Sequence, residues 1–162
     1  MLEWSFHEDY LELDIKWRET PIKIKVYVFL CSKLCEDLNS EVLTREIKST
    51  DAQVIIPVTS ISSIHQVVQG AVHYTIYSSR QRRIKNKGLL LGALILGYTQ
   101  IDDLTSILEK NFKISPHYYL VGVDQRPRNL EKCYTLRLED LLEKPTTMST
   151  LVKNAYIAVT LI

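Results

Sequence analysis

The most basic run of the chain, residues 80–87 (RQRRIKNK), carries the residue types best suited to binding phosphate. No Asp or Glu occurs anywhere in residues 52–101, although the formal net charge of the whole chain is only +1. A locally basic segment on a nearly neutral protein is typical of a surface that faces phosphate groups, whereas a solvated loop between two helices would need no partner. The cations of this run are Arg80, Arg82, Arg83, Lys85 and Lys87.

Catalytic arrangements are harder to find. The five glycines form neither a phosphate-binding loop nor a dinucleotide fingerprint, and no serine stands in a nucleophile-elbow setting. His65 falls on the apolar stripe of a predicted helix, which favours a core histidine over a catalytic base. Asp124 ends a predicted strand, with nothing converging on it in sequence. We therefore expect a binding module with no metal and no cofactor. A small hydrolase that uses Asp124 and His65 in one cleft is the enzyme alternative.

Cysteine usage bears on the compartment. The chain has three cysteines, Cys31, Cys35 and Cys133. An odd number, together with an acidic N-terminal segment that does not look like a secretory signal, predicts reduced thiols in a cytoplasmic protein. Cys31 and Cys35 are four residues apart, but a metal site would need two further ligands at suitable spacing.

The most apolar stretch, residues 88–96 (GLLLGALIL), follows the basic run directly. A membrane-spanning helix needs roughly 20 apolar residues, and this run has about half that number. The sequence therefore predicts a buried core helix that ends at Gly97. Its polar ends, RIKNK and GYTQI, are predicted to face a partner.

Hydrophobic periodicity assigns the remaining elements. Alternation predicts a hairpin of residues 10–17 and 22–31, interrupted at Pro21, and buried strands at 52–57 and 118–123. Helical spacing predicts helices at 33–47 and 59–80, the latter capped by Thr59 or Ser60, and a helix after Thr99 with Thr99 and Asp102 as a capping box. Residues 132–144 start as a strand and end as a helix. Residues 147–162 form a last helix, with a strand at its end as the alternative. The fold class is α+β: one domain, residues 1–162, with antiparallel strands from both ends of the chain packed on a central helical layer.

The order and spacing of several motifs resemble one family. The segment VIIPVTSISSIHQVVQGAVHYTI places Ile61, His65 and Ala71 at expected positions. After the basic loop, the pattern of an isoleucine, an asparagine, an apolar helix and a glycine-glutamine-isoleucine turn is matched without a gap by Ile84, Asn86, Gly97, Gln100 and Ile101. This resembles the small subunit of the KEOPS complex that binds the Bud-type kinase, the PRPK-binding or TPRKB-like family.

The resemblance covers most of the chain from about residue 22, and it has departures. Thr99 stands where many archaeal members have arginine, Leu91 where they have glutamate, and Ala158 where a basic residue is expected. Loss of the arginine and the glutamate together leaves no orphan charge in the core.

The resemblance implies a non-catalytic subunit for threonylcarbamoyladenosine modification of tRNA. Its partners would be the Bud-type kinase and the tRNA 3′ CCA end, with no membrane and no small-molecule substrate. The alternative is a kinase-docking module that has lost tRNA binding. Apolar helix faces suggest Leu104, Leu108, Leu151 and Ala155 for the kinase. The basic run and the ends of the apolar helix suggest, for tRNA, Arg80, Arg82, Arg83, Lys85, Asn86, Lys87, Gly97, Tyr98, Gln100 and Ile101.

Overall fold

The computed structural model describes residues 2–32, 51–128, 130, 133–135, 150–152, 154 and 155. The strands in this part of the chain are β1 (Leu2–Phe6), β2 (Leu11–Trp17), β3 (Thr20–Ser32), β4 (Gln53–Pro57), β5 (His117–Val123) and β6 (Cys133–Thr135). The helices are α1 (Ile64–Tyr77), α2 (Lys87–Leu96) and α3 (Ile101–Ile114), with a 3₁₀ turn at Val58–Ser60. Residues 150–152, 154 and 155, named here the C-terminal segment, are also helical.

The strands form one antiparallel sheet in the order β1-β2-β3-β5-β4, with β6 added beside β3. The long strand β3 is central: its first half pairs with β2, and its second half pairs with β5 on one side and β6 on the other. Strands from both ends of the chain therefore meet at β3. The helices pack against this sheet, and the predicted α+β class is confirmed.

The predicted β2–β3 hairpin is confirmed, including its two unlike faces. Leu11, Leu13, Ile24 and Val26 are fully buried on one face. On the other face, Lys23 Nζ lies 3.3 Å from a Glu12 carboxylate oxygen and 3.2 Å from one of Asp14. Period-two alternation thus sorted the apolar and charged side chains correctly.

Two local features of this hairpin differ from the prediction. Pro21 lies inside β3, opposite Lys16, and does not interrupt it. Trp17 and Thr20 close a two-residue turn as a hydrogen-bonded pair, so the next pair, Lys16 and Pro21, is a non-hydrogen-bonded one. The N–H that proline lacks would therefore face away from β2, where residues 20–25 have no other strand partner among the described residues. In addition, β1 was not predicted, although Leu2, Trp4 and Phe6 alternate with polar residues as strand residues do.

Cys31 and Cys133 form a disulfide, so the prediction of reduced thiols is wrong for these two residues. They are 102 residues apart in sequence but lie directly opposite each other in the β3–β6 register, with their Cα atoms 4.0 Å apart. Sequence spacing could not identify this pair, because the pairing depends on the sheet register. Cys35 lies outside the described residues.

Helix α2 is a core helix, as predicted. Every residue from Gly88 to Leu96 is buried. The helix begins after Asn86, whose side-chain oxygen accepts a hydrogen bond from the Leu89 N–H at 3.0 Å. It ends at Gly97, whose φ of 77° lies in the left-handed region that favours glycine. No helix among the described residues is both long and apolar enough to cross a membrane.

The N-caps of the other two helices were predicted wrongly. Helix α1 begins after Ser63, whose hydroxyl accepts a hydrogen bond from the His65 N–H, because Thr59 and Ser60 belong to the preceding 3₁₀ turn. Helix α3 begins after Gln100 with no side-chain cap, so Thr99 forms no capping box. Two carboxylates, Asp102 and Asp103, lie in its first turn, where they complement the positive helix end.

Predicted strands 52–57 and 118–123, and the strand start near residue 133, are confirmed. The C-terminal segment is helical as predicted. The predicted helix at 33–47, the helical half of 132–144 and the end of the last helix lie outside the described residues.

Candidate nucleic-acid interface

The basic loop, defined here as residues 78–87, joins α1 to α2 and is held by its own side chains. Gln81 Nε2 donates to the Ile84 carbonyl oxygen at 2.7 Å, and Gln81 Oε1 accepts from the Ile84 N–H at 2.9 Å. Ile84 is buried in the core and fixes the loop to the domain. These contacts leave the cations on the outside: Arg80, Arg82, Arg83, Lys85 and Lys87 are all exposed.

Three of these cations lie beside the positive end of α2: Arg82, Lys85 and Lys87 line one cleft together with Leu90, near the start of that helix. Lys87 is the first residue of α2, and the first turn contains no acidic residue. Positive side chains next to a helix N-terminus are unfavourable, whereas an anion there is stabilised by about 0.3–1 kcal/mol. None of the ion pairs found between described residues involves a cation of this loop. The arrangement therefore favours a bound anion.

A cleft of 360 Å³ opens beside the basic loop. Three residues that carry hydroxyl groups, Tyr74, Ser78 and Ser79, are among those that line it. Burial, with a smaller effect of the Asp124 carboxylate, raises the pKa of Tyr74 above its ordinary value of 10.0. A tyrosine hydroxyl is protonated at neutral pH even without that shift, and can donate a hydrogen bond. Hydroxyl donors beside three cations are a combination that binds phosphate. The charged lining residues are Arg82, Lys85 and Lys87.

The structure separates the predicted tRNA residues into two groups. One group, which includes Asn86, lies at the start of α2, and the other lies at its end. A helix of 10 residues is about 15 Å long. In the second group, Gly97 is buried and ends the helix, and Tyr98 and Ile101 are half-buried against the core. Gln100 alone is exposed there, so the two groups do not form one continuous pocket.

The predicted kinase-binding residues also divide. Leu104 and Leu108 are fully buried, and the expectation that they form an exposed docking face is not met. Helix α3 uses this stripe to pack against α2 and β4, since an apolar stripe at helical spacing looks the same in a core and in an interface. Leu151 and Ala155 are half-buried on the C-terminal segment.

An apolar groove between β1 and α1 was not predicted. One part, of 280 Å³, is lined by Leu2, Trp4, Val68 and Leu151, among others. A second part, of 300 Å³, shares Leu2, Val72 and His73 with the first and extends to Trp17. The groove joins segments from both ends of the chain, so only the alternation of Leu2, Trp4 and Phe6 could have hinted at it.

Two residues considered for catalysis have other roles. His65 is exposed and its ring lies 5.5 Å from that of Trp4, so the prediction of a core histidine is wrong. Asp124 connects β5 to β3: its carboxylate accepts from the Lys25 N–H at 2.9 Å, and its own N–H donates to the Lys25 carbonyl oxygen at 2.7 Å. His65 lines the apolar groove and Asp124 does not, so the groove does not join them as the enzyme alternative requires.

His73, which also lines the groove, gives a testable pH dependence. Burial lowers the pKa of its imidazole below the usual 6.5. The unfolded chain therefore binds more protons than the folded chain as the pH falls through 6.5, and stability is lost in that direction. We expect His73→Leu to lose less stability than the unchanged protein between about pH 7.5 and about pH 5. Urea unfolding at a series of pH values measures this, and parallel pH profiles of the two proteins would contradict it.

Comparison with known proteins adds no family: no family model matches the chain, and no curated protein matches it.

Proposed function

We propose that this chain is a non-catalytic subunit of a KEOPS-type complex that binds the 3′ acceptor end of tRNA beside the Bud-type kinase. The observation that carries the proposal is the basic loop, whose five cations are all exposed and three of which line the cleft beside the positive end of α2. A locally basic surface of this kind on a protein of net charge +1 fits an RNA backbone better than a protein partner.

The cleft beside the loop is the proposed phosphate site. Arg82, Lys85 and Lys87 neutralise the backbone charge, and the hydroxyl of Tyr74 donates a hydrogen bond to it. Binding of this kind releases counterions and weakens as salt increases. At the other end of α2, Tyr98 and Gln100 contact unpaired bases by stacking and hydrogen bonding. A single strand that reaches both groups runs for about 15 Å past the helix.

The kinase is proposed to dock on the C-terminal segment. Leu151 and Ala155 are half-buried there, and Val152 is 60% exposed. Together these three apolar side chains are the surface that the proposal assigns to the kinase. Leu104 and Leu108 have no part in this docking, because both are inside the core.

The second candidate function is kinase docking without RNA binding. It is favoured by Leu91, which is fully buried at a position where the resembled family carries a glutamate. Thr99, where that family carries an arginine, is exposed. If the arginine contacts RNA directly in that family, this chain has no equivalent of it.

The proposed partners place the protein in the cytoplasm, where disulfides are rare. The Cys31–Cys133 bond fits that compartment only if reductants reach it slowly. Cys31 is fully buried, which restricts access to it. Alkylation under denaturing conditions, in cells quenched with acid, distinguishes the cases: one modified cysteine per chain means that the bond exists in the cell, and three mean that it does not.

Binding to two RNAs tests the proposal. We expect the purified protein to bind intact tRNA more tightly than tRNA that lacks its 3′ CCA, and both more weakly at higher salt. Removing one cation that neutralises a phosphate should reduce the slope of log K against log salt by about 0.7–0.9. Arg82→Gln combined with Lys85→Gln should therefore lower the slope by about 1.4–1.8. Fluorescence anisotropy at several salt concentrations measures both effects.

The matched control is Lys110→Gln combined with Lys113→Gln. These two lysines are exposed on α3, and their replacement changes the net charge by the same amount. We expect this control to bind like the unchanged protein. Equal losses of affinity in the two double variants would show that the effect comes from the lower net charge and not from the basic loop. Weak binding to both RNAs, without a CCA effect, would favour the kinase-docking function.

A further inference from the structure

The two outer strands of the sheet differ in how they are protected. Every residue of β4 is buried, the strand ends at Pro57, and α2 and α3 pack against it. In β1, by contrast, Leu2 is 51% exposed, and Glu3 and Ser5 are exposed. Strand β1 contains no lysine and no proline, which are common protections of an edge strand.

Within the described part of the chain, the backbone groups on the outer edge of β1 have no strand partner. Among the described residues, β1 pairs with β2 alone. An exposed edge of this kind readily accepts a further strand, which adds main-chain hydrogen bonds to the sheet. The remaining question is which strand fits.

The sequence of β1, Leu-Glu-Trp-Ser-Phe, is self-complementary in an antiparallel pair. We propose that β1 pairs antiparallel with β1 of a second copy of this chain, centred on Trp4. In this register, Leu2 lies opposite Phe6 of the second copy, and the two Trp4 residues lie opposite each other. Glu3 lies opposite Ser5 of the second copy, so no like charges face each other across the pair, which would be destabilising. The contact is isologous, as a two-fold dimer requires.

In this pairing, side chains of the second copy also reach the apolar groove. Residues directly opposite in an antiparallel pair point to the same face of the sheet. Leu2 and Trp4 line the groove against α1, so Phe6 and Trp4 of the second copy lie on that same face. Pairing would cover the exposed half of Leu2 and extend the apolar contact of each copy.

The expected dimer is weak. Strand β1 has five residues, and a contact of this length is small compared with the roughly 1,200–2,000 Å² of a standard stable interface. The weight-average sedimentation coefficient should therefore rise with concentration, between about 10 µM and about 1 mM. The proposal does not depend on RNA binding, and its test uses protein alone.

Disulfide trapping tests the register. Glu3→Cys and Ser5→Cys are made separately in a Cys35→Ser background, so that the new thiol is the only one outside the Cys31–Cys133 bond. Both positions are exposed, so folding should be unaffected. Directly opposite Cβ atoms lie about 4.5–5.5 Å apart and diagonal ones about 7–8 Å apart. A disulfide needs about 3.5–4.5 Å, so only the direct pair is close enough to close with a small shift.

We expect a mixture of the two variants to form a cross-linked dimer several-fold faster than either variant alone. Cross-linking in one variant alone at the rate of the mixture would overturn the proposed register. A sedimentation coefficient that stays at the monomer value up to the highest concentration would overturn the dimer itself.

Discussion

Cys133→Ser should lower the free energy of unfolding by about 4 kcal/mol, the largest effect that we expect from a single side chain. The Cys31–Cys133 bond closes a loop across 102 residues. In the loop-entropy account, a cross-link of about 100 residues stabilises the folded state by about 4–5 kcal/mol, chiefly by restricting the unfolded chain. The half-buried Cys133 is the better site to change. The thiol left at the buried Cys31 is apolar enough to be tolerated there.

A reductant provides the matched control for this prediction. Urea unfolding, followed by the fluorescence of the two tryptophans, gives the free energy of each protein. Reduction of the unchanged protein should lower its stability to that of Cys133→Ser, and the same reductant should leave the variant unaffected. A variant within about 1 kcal/mol of the oxidised protein would show that the bond does little to restrict the unfolded chain.

The disulfide shows where sequence reasoning could not succeed. An odd number of cysteines and a cytoplasmic profile favoured free thiols, because composition carries no information on which strands are neighbours. The pair exists because β6 joins the second half of β3. The β2–β3 hairpin, in contrast, was predictable, since its alternation and its turn are local in sequence.

The candidate site also has features that the sequence could predict and features that it could not. Exposure of the basic loop and the burial of α2 followed from local composition. The end of α2 at Gly97 followed from the left-handed conformation, which glycine adopts far more readily than other residues. The stripe of Leu104 and Leu108 was ambiguous, because helical spacing fits a core and a docking face equally well. The apolar groove could not be predicted from the sequence, because it exists only when β1, α1 and the C-terminal segment are packed together.

A close approach of two helices gives the second large prediction. At Gly70 in α1, an added Cβ would overlap the Ile95 side chain and lie 2.9 Å from the Ile95 Cα and 3.0 Å from its backbone nitrogen. The Ile95 backbone cannot shift easily, because its carbonyl oxygen accepts hydrogen bonds from Gln66 Nε2 at 3.0 Å and from Asn154 Nδ2 at 2.7 Å. We expect Gly70→Ala to cost about 3 kcal/mol of stability, the upper part of the usual range for overpacking.

Gly92→Ala is the matched control, since it makes the same chemical change in the neighbouring helix. Its Cβ would meet side-chain methyl groups only, of Val54 at 3.1 Å and of Leu104 at 3.7 Å, so a shift of the Val54 methyl group alone would relieve the tighter contact. Alanine is also about 1 kcal/mol better than glycine inside a helix, so this variant should stay within about 1 kcal/mol of the unchanged protein. Thermal or urea unfolding of both variants measures the contrast. Equal stabilities would mean that α1 and α2 can separate without cost, and that the hydrogen bonds from Gln66 and Asn154 do not hold Ile95 in place.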